Sequence, residues 1–205
     1  MRQDLVELIE RMIVREGTVN SKDSMSWHAY RAAEQLDDKS LVDELDAYLA
    51  QKPTKEQRAA AYFIIGKIGK NCQSHECAAR LITYAASERD KYALASLLDR
   101  IAEIPKPESV DIWPLFSYLK DKRWLVRHSA IGSLQGCKSS EAEDKLLEVL
   151  AITSDPNDIV YCHSTLNRIG THRALPALEQ GLKSRKRDVK DSAQAAIAAI
   201  ESRNS

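Results

Sequence analysis

The segment 72–77 holds the densest group of potential metal ligands, with Cys72, His75 and Cys77 inside six residues. Thiolate and imidazole groups bind zinc, but a closed structural zinc site takes four ligands at suitable spacing. No second cluster of this kind follows in the sequence, and the position of Cys77 favours an inward-facing slot on a helix. The sequence therefore predicts no metal site and no cofactor.

Catalytic residue types occur in the chain without the spacing that would assign them a reaction. No Ser-His-Asp, Cys-His or paired-carboxylate arrangement can be argued from their positions, so we expect that the protein is not an enzyme. The four cysteines, at positions 72, 77, 137 and 162, lack the spacing of a disulfide framework. They are expected to be free thiols, which favours a cytoplasmic location.

A recurring helical pattern organises the chain. Each copy has a small or aliphatic residue three positions after an anchor, another seven positions after it and an aliphatic one ten positions after it, which places one apolar stripe on a helix. The anchors are Ser26, Arg58, Lys91, Arg127, Ile159 and Lys190, so the steps are 32, 33, 36, 32 and 31 residues. A nearly constant step of this length is typical of stacked helix pairs.

The repeat resembles the short bacterial form of the HEAT family, the PBS lyase HEAT-like type. The matching residues in the last unit are Ala174, Leu175, Pro176 and Leu178 in the first helix and Val189, Lys190, Ala193, Ile197 and Ile200 in the second. Similar matches begin at Gln57–Arg58 and Val126–Arg127. The resemblance covers nearly the whole chain and implies a fold, while such repeats serve unrelated functions.

We therefore expect an all-α fold, a right-handed superhelix (solenoid) of about six HEAT-like helix pairs in a single domain over residues 1–205. The expected units are 1–37, 38–70, 71–104, 105–138, 139–170 and 171–205. Only seven glycines and six prolines occur among 205 residues, and strand-like alternation is lacking. Since 30 basic and 30 acidic residues balance, nucleic acid is not the expected partner. No apolar run is long enough to span a membrane.

The outward positions of the second helices are the predicted binding surface, because these helices usually line the concave side of such a stack. Aromatic and basic side chains recur there, and they are the types that most often anchor an interface. The predicted partner-binding residues are Trp27, Arg31, Tyr62, Phe63, Lys67, Tyr92, Arg100, His128, His163 and Arg168. We expect a protein partner, with the chain acting as an adaptor or as an immunity protein that binds a toxin; the sequence leaves the oligomeric state open.

Two enzymatic alternatives follow from resemblance. The segment 121–131, with Trp124 and Arg127 before Ala130–Ile131, is similar to a repeat of the alkylpurine DNA glycosylases. That family carries its acid in a Trp-Asp motif about one repeat earlier, where this chain has Asp90 without the tryptophan. Bilin lyases also resemble this repeat class, and their activity would need a tetrapyrrole pocket.

Basic residues near the start of the second helices have a structural interpretation. Arg127 lies six residues after Asp121, and in HEAT-like repeats an acid in the turn commonly pairs with a base in the second helix. Arg58 and Lys190 occupy the same register position as Arg127. We expect all three to tie neighbouring units together and the charged turn at 183–190 to be solvated.

Overall fold

The computed structural model describes residues 2–17 and 20–203, and these fold into twelve α-helices. The helices are α1 (Gln3–Met12), α2 (Met25–Ala33), α3 (Ser40–Leu49), α4 (Lys55–Asn71), α5 (His75–Ser87), α6 (Lys91–Ala102), α7 (Trp113–Phe116), α8 (Trp124–Ser133), α9 (Ser140–Ile152), α10 (Pro156–Ile169), α11 (Leu175–Leu182) and α12 (Arg187–Arg203). Odd and even numbers alternate as the first and second helices of six consecutive pairs.

The second helices pack on one another along the stack. Helix α6 lies between α4 and α8, and α10 lies between α8 and α12. The first helices form the other layer, each against its own second helix. This arrangement is an all-α repeat superhelix, as the sequence predicts. Each second helix lies within its expected unit except that α4 ends at Asn71, one residue beyond the predicted boundary. Positions 1 and 205, the predicted outer bounds, lie outside the described residues.

The recurring apolar stripe forms the core. Every residue three positions after an anchor is buried: Ala29, Ala61, Leu94, Ala130, Cys162 and Ala193. Five of these six side chains are small and let neighbouring second helices approach closely, and close packing gains dispersion energy as well as apolar burial. Cys77 and Cys137 are buried too, in agreement with the expected inward position of Cys77.

Sequence signals also set the helix ends. The side chain of Thr54 accepts a hydrogen bond from the Gln57 N–H, and the Gln57 side chain accepts one from the Thr54 N–H. This reciprocal arrangement satisfies N–H groups that the first turn leaves without partners. Pro114 lies in the first turn of α7, where its missing N–H has no cost.

The long loop between α6 and α7 is fixed by a buried lysine. Lys106 Nζ donates to the carbonyls of Ile101 and Ile104, both at 2.7 Å, and so neutralises the C-terminal end of α6. Its backbone pairs with the segment after α8, since the Lys106 N–H donates to the Gly136 carbonyl. Gly136 has a φ of +72°, a conformation that glycine adopts without strain.

Within the described residues, none of the helices combines the length and apolar content that crossing a bilayer requires.

Candidate functional site

Three exposed aromatic side chains lie on consecutive second helices. Tyr92 on α6 is 62% exposed, Trp124 on α8 is 62% exposed and Tyr161 on α10 is 43% exposed. All three lie in the N-terminal halves of their helices, so they share one edge of the second-helix layer. Large aromatic groups left in water on one edge are typical of a contact surface.

His128 joins two of these aromatic groups. Its ring stacks on Tyr161 with centroids 4.4 Å apart and an interplanar angle of 17°, and the Trp124 ring lies 5.6 Å away. Trp124 and His128 are four residues apart on α8, so they share a face of that helix. His128 is itself buried. It therefore supports an aromatic platform that Trp124 and Tyr161 present to solvent.

A buried carboxylate holds this platform in place. Asp158 accepts hydrogen bonds from Arg127 Nε at 2.8 and 2.9 Å, from the Thr153 hydroxyl at 3.1 Å and forms one with His128 Nε2 at 2.9 Å. Arg127 Nη1 also donates to the Asp121 carbonyl at 2.9 Å. The network links α8, which carries Arg127 and His128, to α10, which carries Asp158. Separating these helices would leave a buried charge without its partner, which is costly.

Arg127 was predicted to pair with the side chain of Asp121, and this prediction is wrong. The Asp121 carboxylate pairs with Arg123 at 2.7 Å, and Arg127 pairs with Asp158 and Asp155 of the next unit. The turn between the two helices is short enough for Arg123 to fold back on Asp121. The structural role expected for Arg127 remains, with the acid supplied by the following repeat.

The same kind of tie recurs two units earlier. Arg58 Nε and Nη2 donate to the two Glu88 oxygens at 2.7 and 2.8 Å. Burial alone would raise the pKa of Glu88, but hydrogen bonds from Arg58 and from the Asp90 and Arg89 N–H groups lower it to about 2. Glu88 therefore stays ionised in the folded protein at neutral pH.

One group of three side chains could ligate a metal ion by proximity. His128, Asp155 and Asp158 bring one potential ligand atom each to within 4.8 Å of one another. The Arg127 guanidinium already occupies the space beside both carboxylates, at 2.8 Å from Asp158 and 3.3 Å from Asp155. A cation there would meet a fixed positive charge, so the donor set fits an ion-pair network better than a metal centre.

A second cluster surrounds Phe63. Lys67 Nζ lies 5.1 Å and the Arg100 guanidinium 5.2 Å from the centre of its ring, and Tyr30 meets the ring edge-on at 4.8 Å. Glu103 accepts a hydrogen bond from Lys67 at 2.8 Å. These contacts hold the cations against the protein, and Phe63 and Arg100 are only partly exposed.

The predicted partner-binding residues fall into three groups. Exposed side chains belong to Trp27, Arg31, Tyr92 and Arg168, and partly exposed ones to Phe63 and Arg100. The remaining four, Tyr62, Lys67, His128 and His163, are buried. Among the exposed group, the Arg31 guanidinium lies 5.8 Å from the Trp27 ring centre, so these two neighbours in the first unit form one small patch.

The prediction that Tyr62, Lys67, His128 and His163 are exposed contact residues is wrong. The Tyr62 hydroxyl donates to Glu88, Lys67 pairs with Glu103, and Tyr161 covers His128. His163 Nδ1 forms a hydrogen bond with the Ser192 hydroxyl at 2.9 Å. Each of these side chains contacts a residue of the following repeat. The positions that were predicted to face solvent therefore face the next helix pair in the stack.

Sequence reasoning missed Trp124 and Tyr161 as surface residues. Trp124 precedes the anchor of its unit and Tyr161 follows its anchor by two positions, so neither lies at a position taken as outward. The spacing of Trp124 and His128 is a signal that could have identified the platform, because residues four apart share a helix face.

Asp90, the acid of the glycosylase alternative, caps a helix. Its Oδ1 accepts from the N–H groups of Tyr92 at 2.9 Å and Ala93 at 3.0 Å, as an N-cap aspartate does. The hydrogen bonds to these N–H groups lower its pKa. The carboxylate is therefore engaged in holding the first turn of α6.

Comparison with known proteins agrees with this architecture. Residues 112–198 match the family model of HEAT repeats. A designed armadillo repeat protein has a similar structure, with a TM-score of 0.50 at 16% sequence identity over 95% of this chain and 98% of that chain. No curated protein matches the chain. Residues 112–198 are thus similar to HEAT repeats, and the chain as a whole has the fold of an α-helical repeat protein. Its membership of the HEAT family and its kinship with the bacterial PBS lyase type stay predictions.

Proposed function

We propose that this chain is a non-enzymatic protein-binding module that contacts its partner through the aromatic edge formed by Tyr92, Trp124 and Tyr161. The observation that carries the proposal is the exposure of these three side chains on consecutive packed helices. A single exposed aromatic residue is ordinary on a protein surface, whereas an aligned set on a rigid support is typical of interface anchors.

The support beneath the edge favours binding with little loss of conformational freedom. Tyr161 is stacked on His128, and His128 is held by Asp158. Aromatic side chains with few rotatable bonds that are already oriented lose little entropy on complex formation. The partner surface that fits this edge is apolar at its centre. It also carries hydroxyl or carbonyl groups that form hydrogen bonds with the Tyr161 hydroxyl and with the indole N–H of Trp124.

The experiment compares two alanine variants of equal exposure. Trp124→Ala on the proposed edge and Trp113→Ala on α7 each remove an indole that is about three-fifths exposed. The tagged unchanged chain and both variants are used to capture partners from the native cell lysate with nuclease present. The affinity of each recovered protein for the unchanged chain and for each variant is then measured with purified proteins. We expect Trp124→Ala to weaken binding by roughly 30-fold or more, as hot-spot truncations of about 2 kcal/mol do, and Trp113→Ala to leave it unchanged.

The opposite result would disprove the assignment of the surface. If Trp124→Ala and Tyr161→Ala bind the partner as well as the unchanged chain, the aromatic edge is not the interface. Circular dichroism and thermal unfolding of each variant show whether the helices remain intact, so that lost binding is not mistaken for lost structure.

The adaptor and immunity-protein roles are both forms of this proposal and differ in the partner recovered. The glycosylase alternative makes a separate prediction, because Asp90→Asn would then abolish excision of an alkylated purine. Asparagine preserves helix capping, so this variant tests the chemistry without removing the cap.

A further inference from the structure

A cavity of about 310 Å³ lies among the last two repeats, at the side of the layer formed by α9 and α11. Its walls are mostly apolar, with Leu147 and Leu150 from α9, Ile159 from α10, Ala177 from α11 and Val189 from the first turn of α12. An apolar site of about 150 Å³ is enough for benzene. This cavity therefore has room for a molecule of one or two rings.

One polar side chain in the wall is nearly inaccessible to solvent. His163 is 1% exposed, and its Nδ1 lies 2.9 Å from the Ser192 hydroxyl. That hydroxyl donates to the Val189 carbonyl at 3.0 Å, so its oxygen is left to accept from Nδ1–H. This assignment of the tautomer makes Nε2 the acceptor nitrogen.

The Cε1–Nε2 edge of the imidazole packs against Gly181 in the wall of the cavity. A Cβ built on Gly181, which lines the cavity, would lie 2.6 Å from Cε1 and 3.2 Å from Nε2 of His163. The ring also has a hydrogen bond to the Val189 backbone, and within residues 2–17 and 20–203 no group is found donating to Nε2. Nε2 is therefore able to accept a hydrogen bond from a ligand in the cavity.

The charge of the lining restricts the ligand. None of the described residues that line the cavity is an aspartate, glutamate, lysine or arginine, so neither a cation nor an anion would find a partner. Burial lowers the pKa of His163 to about 4, and the imidazole is therefore neutral at pH 7. A charged molecule would lose its hydration without compensation.

We propose that this cavity binds a small uncharged aromatic molecule of the indole or phenol class, whose N–H or O–H group donates to Nε2 of His163. The apolar walls from four helices supply most of the binding free energy, and the single acceptor orients the ligand, as is usual for small-molecule sites. The site is separate from the aromatic edge, so neither proposal depends on the other.

The experiment uses two probes that differ in one atom. Indole has an N–H donor, whereas benzofuran has an oxygen in its place and can donate nothing. Both are titrated into the full chain at pH 7, with affinity measured by calorimetry and the His163 ring followed by ¹⁵N NMR. We expect indole to bind about three- to tenfold more tightly than benzofuran, the factor that one hydrogen bond supplies, and to shift the Nε2 resonance.

Three variants test the assignment. His163→Phe removes the acceptor and should abolish the preference for indole over benzofuran. Ala177→Phe places a ring in the cavity from a half-exposed position and should weaken both probes at least tenfold. Ala199→Phe, at a half-exposed alanine of α12 outside the lining, is the matched control and should bind both probes as the unchanged chain does.

Two results would overturn the proposal. One is the absence of any shift or heat with millimolar indole in the unchanged chain. The other is indole binding that Ala177→Phe leaves intact, because the probe would then occupy some other place. If the cavity accepts an aromatic side chain of a partner protein but no free small molecule, millimolar indole would give no shift and no heat.

Discussion

Replacing Glu88 by glutamine should destabilise the protein strongly and change how its stability depends on pH. The Glu88 side chain is 1% exposed. It accepts from Arg58 twice, from the Tyr62 hydroxyl at 3.2 Å and from the Arg89 and Asp90 N–H groups at 2.9 Å each. Glutamine has the same shape but presents an NH₂ group where one oxygen faced Arg58, and it leaves the guanidinium without a counter-charge.

The magnitude follows from the pKa of this carboxyl group. The folded protein lowers the pKa from 4.5 to about 2, and each unit corresponds to 1.36 kcal/mol. The ionised form therefore contributes about 3 kcal/mol to the free energy of unfolding. Because the folded pKa is depressed, this contribution is complete above about pH 4.5 and is lost as the pH falls through about 2.

Urea unfolding at pH 7 measures the loss, and a pH series from 7 to 2 measures its titration. We expect Glu88→Gln to lower the free energy of unfolding by about 3 kcal/mol at pH 7, with the difference from the unchanged chain shrinking below pH 4.5. Glu148→Gln is the control, since Glu148 is 53% exposed in its pair with Lys145 and exposed pairs contribute about 1 kcal/mol or less.

Equal effects of the two substitutions would refute the reasoning. So would a Glu88→Gln difference that stays constant down to pH 2, because the stabilisation would then not come from the ionised carboxylate. The urea dependence must be the same in all three proteins for the comparison to hold, because repeat proteins can unfold in parts.

Two further predictions concern Gly136 and Lys106. Gly136→Ala should lower the free energy of unfolding by about 1–2 kcal/mol, because the φ of Gly136 is +72° and the added Cβ would lie 3.3 Å from the Ile104 carbonyl oxygen. Gly132→Ala on α8 is the control, since a Cβ there meets nothing within 4 Å. It should be neutral or stabilising in the same urea assay. A loss of stability in Gly132→Ala as large as that in Gly136→Ala would contradict this. Burial lowers the pKa of Lys106 to about 8 from 10.5, so the unfolded chain holds more protons above pH 8 and the free energy of unfolding should rise between pH 8 and 9. Lys106→Met should remove that rise, and an identical slope in the variant would show that another group titrates.

The buried tie residues show how far sequence reasoning reached. Arg58, Arg127 and Lys190 were predicted to link units from their shared register and from the resemblance to HEAT repeats. Arg58 and Arg127 form ion pairs with the following repeats, whereas Lys190, on the last helix, is exposed. Their acidic partners, Glu88 and Asp158, could not be identified, because the pairing depends on how two helix pairs pack. The turn acid expected for Arg127 instead bonds Arg123, a choice made by local loop geometry.

The sequence by itself determined the periodic features of this protein. Small and aliphatic residues at fixed intervals place one apolar face on each second helix, and a helix with such a face has to pack against another. That requirement is local and repeats along the chain. It accounts for the six helix pairs and for the buried positions of Ala61, Ala130 and Cys162.

Only the tertiary structure decided which of the remaining side chains reach solvent. Tyr62 and Tyr92 are both aromatic and both lie on second helices, yet the first is buried beside Glu88 and the second is exposed. His163 was expected at the surface and lies in a cavity wall, while Trp124 and Tyr161 form the exposed edge. Exposure depends on what the adjacent repeat places over a residue, and that is a property of the stacked helices and not of the helix that carries the side chain.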